Sequence, residues 1–297
     1  MKKLSVVTAV LFMAASVYAQ DAASVAMPFS TLPRTVGTLS LGGVTASDDV
    51  SYRLLGQNNL EASASWYSWA PKGVSSNDIN VDFFSRFGRR LGITAQFALD
   101  AGKRYDIYND QGVKGGFFSP KDMMIKAGAA YRIIPMLSVG ISARYLNSSL
   151  SSAASYSAFS ADVMASAELG GAKASAGVTN LGSSVKSSDG SFFSLPSAAT
   201  VAGSYSLTFA EKHSVDARAQ VDFFFKGGLR AGVGVEYGFG DLAFARVGYS
   251  YGGKSPFPSY LSLGVGAKFS GVGINAAYLV GSGPVGGTLA IGAGYSF

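Results

Sequence analysis

Cysteine is absent from the 297 residues. That absence excludes disulfide scaffolds, Cys-ligated zinc and thiol nucleophiles. There is one histidine, His213, so no metal site rests on several imidazoles. Charge is scarce: Asp, Glu, Lys and Arg make up 14% of the chain, where a soluble domain carries about 25%. The formal charge of +6 falls to about +4 without Lys2 and Lys3, too weak and too scattered for nucleic-acid binding. Glycine is plentiful, at 38 residues, but follows no triplet period, which rules out collagen. Gly42-Gly43 is not followed by the Gly-Lys-Ser/Thr of a phosphate loop. Asp48-Asp49 lacks the spaced oxygens of a calcium loop and reads as a solvated turn. No cofactor is expected.

What is present is an ordered, apolar chain: 48% hydrophobic residues, 15 Tyr, 20 Phe and a mean hydropathy of +0.24. Disorder needs low hydrophobicity. The profile fits a membrane β-barrel better than a soluble enzyme. Lys2-Lys3, the apolar run Leu4 to Ser16 and the small-x-small site Val17-Tyr18-Ala19 form a secretory signal peptide over 1–19. The run is too short for a retained anchor.

Beyond it, hydrophobicity alternates with period 2, the primary signal of a half-buried strand. Phe297, Tyr295, Ala293, Ile291 and Leu289 oppose Ser296, Gly294, Gly292 and Ala290. Leu229, Ala231, Val233, Val235 and Tyr237 oppose Arg230, Gly232, Gly234 and Glu236. A soluble sandwich alternates too, but its core face is richer in Ile and Leu. Here the apolar face is thin and ends in aromatics, as on lipid-facing strands. Tyr295 and Phe297 supply the aromatic C-terminus expected of a barrel assembly signal. Residues 269–297 carry no charge, long enough for a spanning helix; their eight glycines, Pro284 and period of 2 read instead as a hairpin turning near Gly281-Ser282-Gly283-Pro284.

The fold class expected is all-β: a transmembrane, antiparallel, up-and-down barrel of about fourteen strands. The strands fall at 60–70, 79–87, 91–102, 121–134, 136–148, 154–169, 171–181, 196–208, 211–224, 228–238, 241–252, 258–269, 271–280 and 286–297. Short connections alternate with longer ones at 71–78, 103–120, 182–195 and 253–257, the rhythm of periplasmic turns and extracellular loops. Both termini then face the periplasm of a Gram-negative outer membrane. Residues 20–59 do not alternate and are read as a segment folded into or under the barrel of 60–297. A disordered leader is the alternative.

Strand parity points Lys126, Arg132, Arg144, Arg218, Arg230, Arg246 and Lys268 inward, with Asp162, Glu168, Asp216, Asp222 and Glu236. A pore selecting one sign tends to carry a ring of that sign. The near balance predicts a cross-linked interior, largely blocked. His213 beside Ser214 cannot form a catalytic pair, since strand neighbours face opposite ways, and it reads as an interfacial turn residue. The loops offer aromatic groups: Tyr105, Tyr108, Phe117 and Phe118 in one, Phe192 and Phe193 in the other. Such loops serve as partner-contact surfaces or fold over the barrel mouth.

Several motifs, in order along the chain, carry a resemblance. Leu41-Gly42-Gly43-Val44 with Asp48-Asp49, Leu137 to Tyr145, Val178-Thr179-Asn180-Leu181-Gly182 and Leu195-Pro196 are four. Gly234-Val235-Glu236-Tyr237 with Asp241, Arg246, Val247, Gly248 and Tyr249 is the fifth. The chain resembles the PorV/PorQ family of the Bacteroidota outer membrane, relatives of FadL-type fourteen-strand barrels. It departs from that pattern at Gln57-Asn58-Asn59-Leu60 and at Asn275-Ala276-Ala277-Tyr278. The resemblance implies a non-enzymatic partner barrel that contacts outer-membrane proteins, such as a larger barrel or a type IX translocon, and membrane lipid or lipopolysaccharide. An accessory subunit of a secretion or barrel-assembly machine is therefore the expected function. Kinship with FadL implies the alternative, passage of hydrophobic small molecules, with an apolar pocket by the N-terminal segment and a strand kink opening sideways. A general porin is a third reading.

Overall fold

In the computed structural model, residues 25–69, 75–151, 154–187, 190–240, 242–252, 259–281 and 285–297 are described. The signal peptide, the loop 253–257, Asp241 and most of the turn at 281–284 lie outside them. Alternating small or polar residues with apolar ones forces a sheet whose two faces meet different surroundings. Fourteen antiparallel strands close on themselves. They are β1 Leu60–Trp69, β2 Ser76–Phe87, β3 Leu91–Gly102, β6 Lys121–Ile134, β7 Leu137–Ser151, β8 Ala154–Leu169 and β9 Ala172–Gly182. The rest are β12 Ala198–Phe209, β13 His213–Phe224, β14 Leu229–Phe239, β15 Ala243–Tyr251, β16 Tyr260–Phe269, β17 Val272–Val280 and β18 Leu289–Ser296. Closure comes from β18 against β1, with Glu61 opposite Ser296 and Ser68 opposite Leu289. No sheet edge is left for lipid to meet. Each strand anticipated in the sequence is present; β2 starts three residues earlier and β7 runs three residues further.

Two short hairpins stand outside the barrel: β4 Tyr105–Tyr108 with β5 Lys114–Phe118, and β10 Val185–Lys186 with β11 Phe192–Phe193. Both rise from the end where connections are long. At the opposite end the turns are tight, and residues such as Gly88, Gly170, Gly171 and Gly271 take the positive φ those turns need. The outer face is apolar: Ile141, Val163, Leu263, Val265 and Ile274 are all exposed. Isolated in water such a band would be costly, so it reports a lipid-facing surface.

The core is inside the cylinder. Residues 25–59 occupy the lumen as a turn at Pro28–Thr31, helix α1 Val36–Ser40, a turn at Thr45–Asp48 and helix α2 Val50–Leu55. Val25 bridges Ser194, in the loop carrying β10 and β11. Asn59 and Leu60 meet Phe297 at the tight-turn end. The segment therefore traverses the barrel from the loop end to the turn end. The C-terminus lies at the tight-turn end, and the described chain enters the lumen from the other; residues 1–24, where the expectation for the N-terminus falls, lie outside the described residues.

Candidate functional site

The plug is built to touch both sides of the barrel. Thr35 caps α1, its hydroxyl accepting from Thr38 N, and Asp49 caps α2, Oδ1 accepting from Ser51 N at 2.8 Å. Asp48-Asp49 is thus not a solvated turn, as its sequence suggests: Asp49 is buried and Asp48 partly so. The carboxylates have backbone work to do inside the lumen. Helix α1 packs on β15 to β18, and α2 packs on β3, β6, β7 and β8. Between them Leu41-Gly42-Gly43 lies flat on β14 to β16. A Cβ added at Gly234 would stand 2.6 Å from Leu41 Cα, one at Gly232 2.5 Å from Gly42 O, and one at Gly248 against Gly42 N. Those wall glycines exist because a backbone lies on them.

Polar contacts fasten the rest. Arg34 pairs with Asp100 (2.6 and 3.0 Å) and Arg53 with Asp82 (2.6 Å) and Glu61 (2.7 Å). From the wall, Arg230 donates to Thr31 O at 2.7 Å and Arg144 to Ser30 O at 3.3 Å. Arg132 and Arg86 donate to Leu54 O and Gly56 O, the free carbonyls at the end of α2. Ser51 Oγ meets Ser166 Oγ at 2.8 Å, and Tyr52 Oη meets Ser204 Oγ at 2.8 Å.

Most of the inward residues predicted from parity form wall pairs around this segment, while Arg132 bonds Leu54 O and Lys268 lines the space toward the tight-turn end. Asp162 takes Arg144, Lys126 (3.3 Å) and Asn180 N (2.9 Å). Asp216 takes Arg218, Asp222 takes Arg230 (2.8 Å) and Glu236 takes Arg246. Glu168 stands near Lys173 at 3.9 Å. Sequence reasoning overlooked the pairs that tie plug to wall, Arg34 with Asp100 and Arg53 with Glu61 and Asp82. The inward alternation Asp78, Asn80, Asp82 is legible in the sequence, but the strand expected at 79–87 begins one residue past Asp78. Among the described residues no three His, Asp or Glu side chains close around a point that would hold a metal ion.

Two cavities flank the plug. A chamber of about 80 Å³ lies toward the loop end, between Leu32, Met124, Met164, Phe224 and the charged groups Arg144 and Arg230. A vestibule of about 510 Å³ lies toward the tight-turn end, lined by Arg53, Glu61, Lys173, Arg218, Arg246 and Lys268. Asp48 and Asp82 line both. Burial, with the charge of Asp82 behind it, pushes the Asp48 carboxyl up to about 6, against the pull of Arg53 and the hydroxyls of Thr35 and Thr38.

The chamber also reaches the barrel wall where it is irregular. Between β8 and β9 the register shifts after Ala161, and Asn180 bulges with a φ of 55°. Above this point β12 has not begun, and the hairpin β10–β11 fills the gap. Val185 and Leu195 pack with Met27, Phe29, Leu146 and Ala158. The second loop therefore folds back over the mouth, leaving Phe192 exposed and Phe193 partly so. The first loop does not: Tyr105, Tyr108 and Phe117 are exposed, with Phe118 partly covered and Arg104 lying 3.4 Å over the Phe117 ring. His213 lies between Phe209 and Phe239, its Nδ1 at 2.6 Å from Tyr237 Oη, an aromatic belt at the tight-turn rim. Tyr295 and Phe297 lie side by side, ring centroids 6.0 Å apart.

With this geometry in place, the likeness to known proteins is one of fold. No family model matches the chain, and no curated protein matches it. Among solved structures it is similar to the toluene transporter TbuX of Ralstonia pickettii, with 14% identity, a TM-score of 0.59, 90% of this chain and 98% of that one covered. The toluene transporter TodX of Pseudomonas putida aligns with 12% identity and a TM-score of 0.56, covering 88% and 97%. A FadL homologue from Pseudomonas aeruginosa aligns with 10% identity and 0.52, covering 95% and 100%. What is shared with these proteins is the closed barrel fold.

Proposed function

We propose that this protein is an outer-membrane channel for small, largely apolar molecules, held shut by its own N-terminal segment. One observation carries the reading. A single segment, tied covalently to the barrel through β1 and otherwise held by non-covalent contacts, separates two cavities that meet at Asp48 and Asp82. The chamber has apolar side chains on one flank and the bulge at Asn180 on the other. A molecule arriving through the bilayer would enter beside Asn180, wait in the chamber, and leave through the polar vestibule once the plug shifts. The toluene transporters and the FadL homologue of similar fold support small apolar cargo over protein cargo. In this reading the long loops face outward, the C-terminus faces the periplasm, and no chemical step is catalysed. The test is uptake of radiolabelled toluene into proteoliposomes. Uptake above protein-free vesicles, saturating with concentration, is expected; flux equal to that of empty vesicles refutes it.

A second reading, an accessory barrel of the PorV/PorQ type docked to a larger outer-membrane machine, is favoured by one feature, the hairpin β4–β5. It presents Tyr105, Ile107, Tyr108, Val113 and Phe117 to solvent. Apolar side chains on a free-standing hairpin suit a partner surface. Stoichiometric co-purification of another outer-membrane protein in mild detergent, lost on deleting 104–118, would establish it.

A further inference from the structure

The lumen pairs its charges unevenly. Arg53, Lys126, Arg144, Arg218, Arg230 and Arg246 all sit in ion pairs. Arg86 and Arg132 donate to the carbonyls of Gly56 and Leu54, and an acidic group with too few partners lies near the loop end of β2, β3 and β6. There Asp78 stands directly opposite Asp100, and Asp100 opposite Asp122. Neighbouring strands are about 4.8 Å apart, so three carboxylates form one inward row across three strands. A single cation serves them, Arg34 of the plug, held bidentately by Asp100. Asp122 has the hydroxyl of Ser148 at 2.5 Å and no ion pair among the described residues. Asp78 is 3% exposed, and its Oδ1 has no hydrogen-bond partner. Asn80, the next inward residue of β2, is 1% exposed, and neither end of its amide has a partner.

Buried carboxylates without a counter-charge are costly, and buried amides are ordinarily bonded. Such groups left open together mark a place prepared for a donor that is positively charged. The row is spread along three strands, and among the described residues no metal-binding cluster forms there. That shape suits an organic cation, which needs only one carboxylate at a time and can move along the row. Arg34 already shows the mode, and it also lines the chamber.

We propose that the row Asp78–Asp100–Asp122, with Asn80, binds the ammonium or guanidinium group of the transported molecule. That cation takes over from Arg34 and so frees the upper plug. Cargo would then have an apolar body for the chamber and a cationic head for the row. This inference rests on the transport reading and narrows it.

The test uses the full-length protein in detergent and three probes with one ring and different heads: benzylammonium, benzyl alcohol and benzoate. Binding is measured by calorimetry and uptake in proteoliposomes. Benzylammonium is expected to bind at least ten-fold more tightly than benzyl alcohol, and benzoate more weakly than either. Asp78→Asn with Asp122→Asn should bring benzylammonium to the level of the alcohol. Asp122→Asn alone, at a partly exposed site, should lose about half of that preference on a logarithmic scale and covers the case in which the double variant does not fold. Equal binding of benzylammonium and benzyl alcohol would show the row neutralised by protons and overturn the proposal. Preference for benzoate, or a preference for benzylammonium that survives both variants, would overturn it as well. If the three probes cross the membrane equally, the head-group proposal falls and the channel stands. If none crosses while benzylammonium binds at the row, the channel reading falls instead.

Discussion

The contact between the plug and its glycine floor makes a quantitative prediction. In Gly248→Ala the new Cβ would meet Gly42 N and lie within 2.8 Å of Leu41 Cα, both backbone atoms that no rotamer change can move aside. The Leu41-Gly42 loop must lift by about 1 Å to reach ordinary contact. Lifting breaks the bond from Gly42 N to Ser262 Oγ (3.1 Å) and that from Ser262 Oγ to Ser40 O (3.0 Å). Each is worth about 0.5–1.5 kcal/mol net. Leu41 is 1% exposed, and partial loss of its burial costs about 1 kcal/mol, a fraction of the roughly 1.5–3 kcal/mol that full burial of such a side chain is worth. The sum is about 2–4 kcal/mol, or about 30- to 1000-fold in the population with a displaced plug. Single-channel recording in planar bilayers reads this as a rise in open probability. Gly273→Ala is the control, because its Cβ would find only Ala267 O, at 3.7 Å. Unchanged open probability in Gly248→Ala, with the barrel folded by gel heat-shift, would refute the idea that the plug closes the lumen at β14–β16.

Other variants probe the remaining contacts. Arg144→Met strips Asp162 of its nearer cation and Asn180 and Ser30 of a donor, and breaking a buried pair this way costs about 3–5 kcal/mol; a Tm in detergent within 1 °C of wild type would contradict the assigned role. Asp48 titrates higher folded than unfolded, so its charged form opposes folding: the cost is present above the folded value of about 6 and is relieved as pH falls toward 4. Asp48→Asn should therefore be more stable than wild type at pH 7.5, by at most about 3 kcal/mol, and equal to it near pH 4; a Tm difference independent of pH would count against this. Deleting Tyr105 to Phe118 should leave toluene uptake within two-fold, since no residue of that hairpin lines either cavity; a large loss in proteoliposomes would place the hairpin on the route.

The barrel was legible because lipid imposes period 2 and closure on every strand, and loop lengths then mark the two ends. Inward parity followed from the same pattern, so Arg144 with Asp162 and Arg246 with Glu236 were readable as lumen residues, though not as pairs. The plug was not readable to the same degree. Its helices, of five and six residues, are too short to form without the walls. Their stability comes from tertiary contacts of high sequence separation, such as Ser40 with Ser262, that leave no local period. The wall glycines at 232, 234 and 248 looked like ordinary small-face residues; only the backbone lying on them explains why a side chain is excluded. The direction of the segment is illegible for a related reason: barrel rhythm orients the strands and says nothing about a segment that does not pair with them.

The two halves of the plug are held differently, and this decides which one moves. The lower half is anchored by α2: Leu54 and Val50 are fully buried with Phe84 and Ala130, Arg53 has two carboxylates, and two arginines close the helix end. It is also continuous with β1, so displacing it would pull on the barrel. The upper half, 25–44, buries Met27 and Phe29 with Leu146 and Leu195, and Val36 and Leu39 with Tyr67 and Leu279, and adds serine hydroxyls, the glycine floor and the Arg34 pair, but among the described residues it continues into no barrel strand. Opening should therefore lift the upper half while α2 stays. Ser51→Cys with Ser166→Cys tests this in a chain with no other cysteine, the two Oγ atoms lying 2.8 Å apart. With the disulfide formed, α2 is pinned to β8, and uptake should agree with the reduced protein within two-fold. Uptake that falls ten-fold on oxidation and returns with reductant would place the moving part in α2 and refute the division.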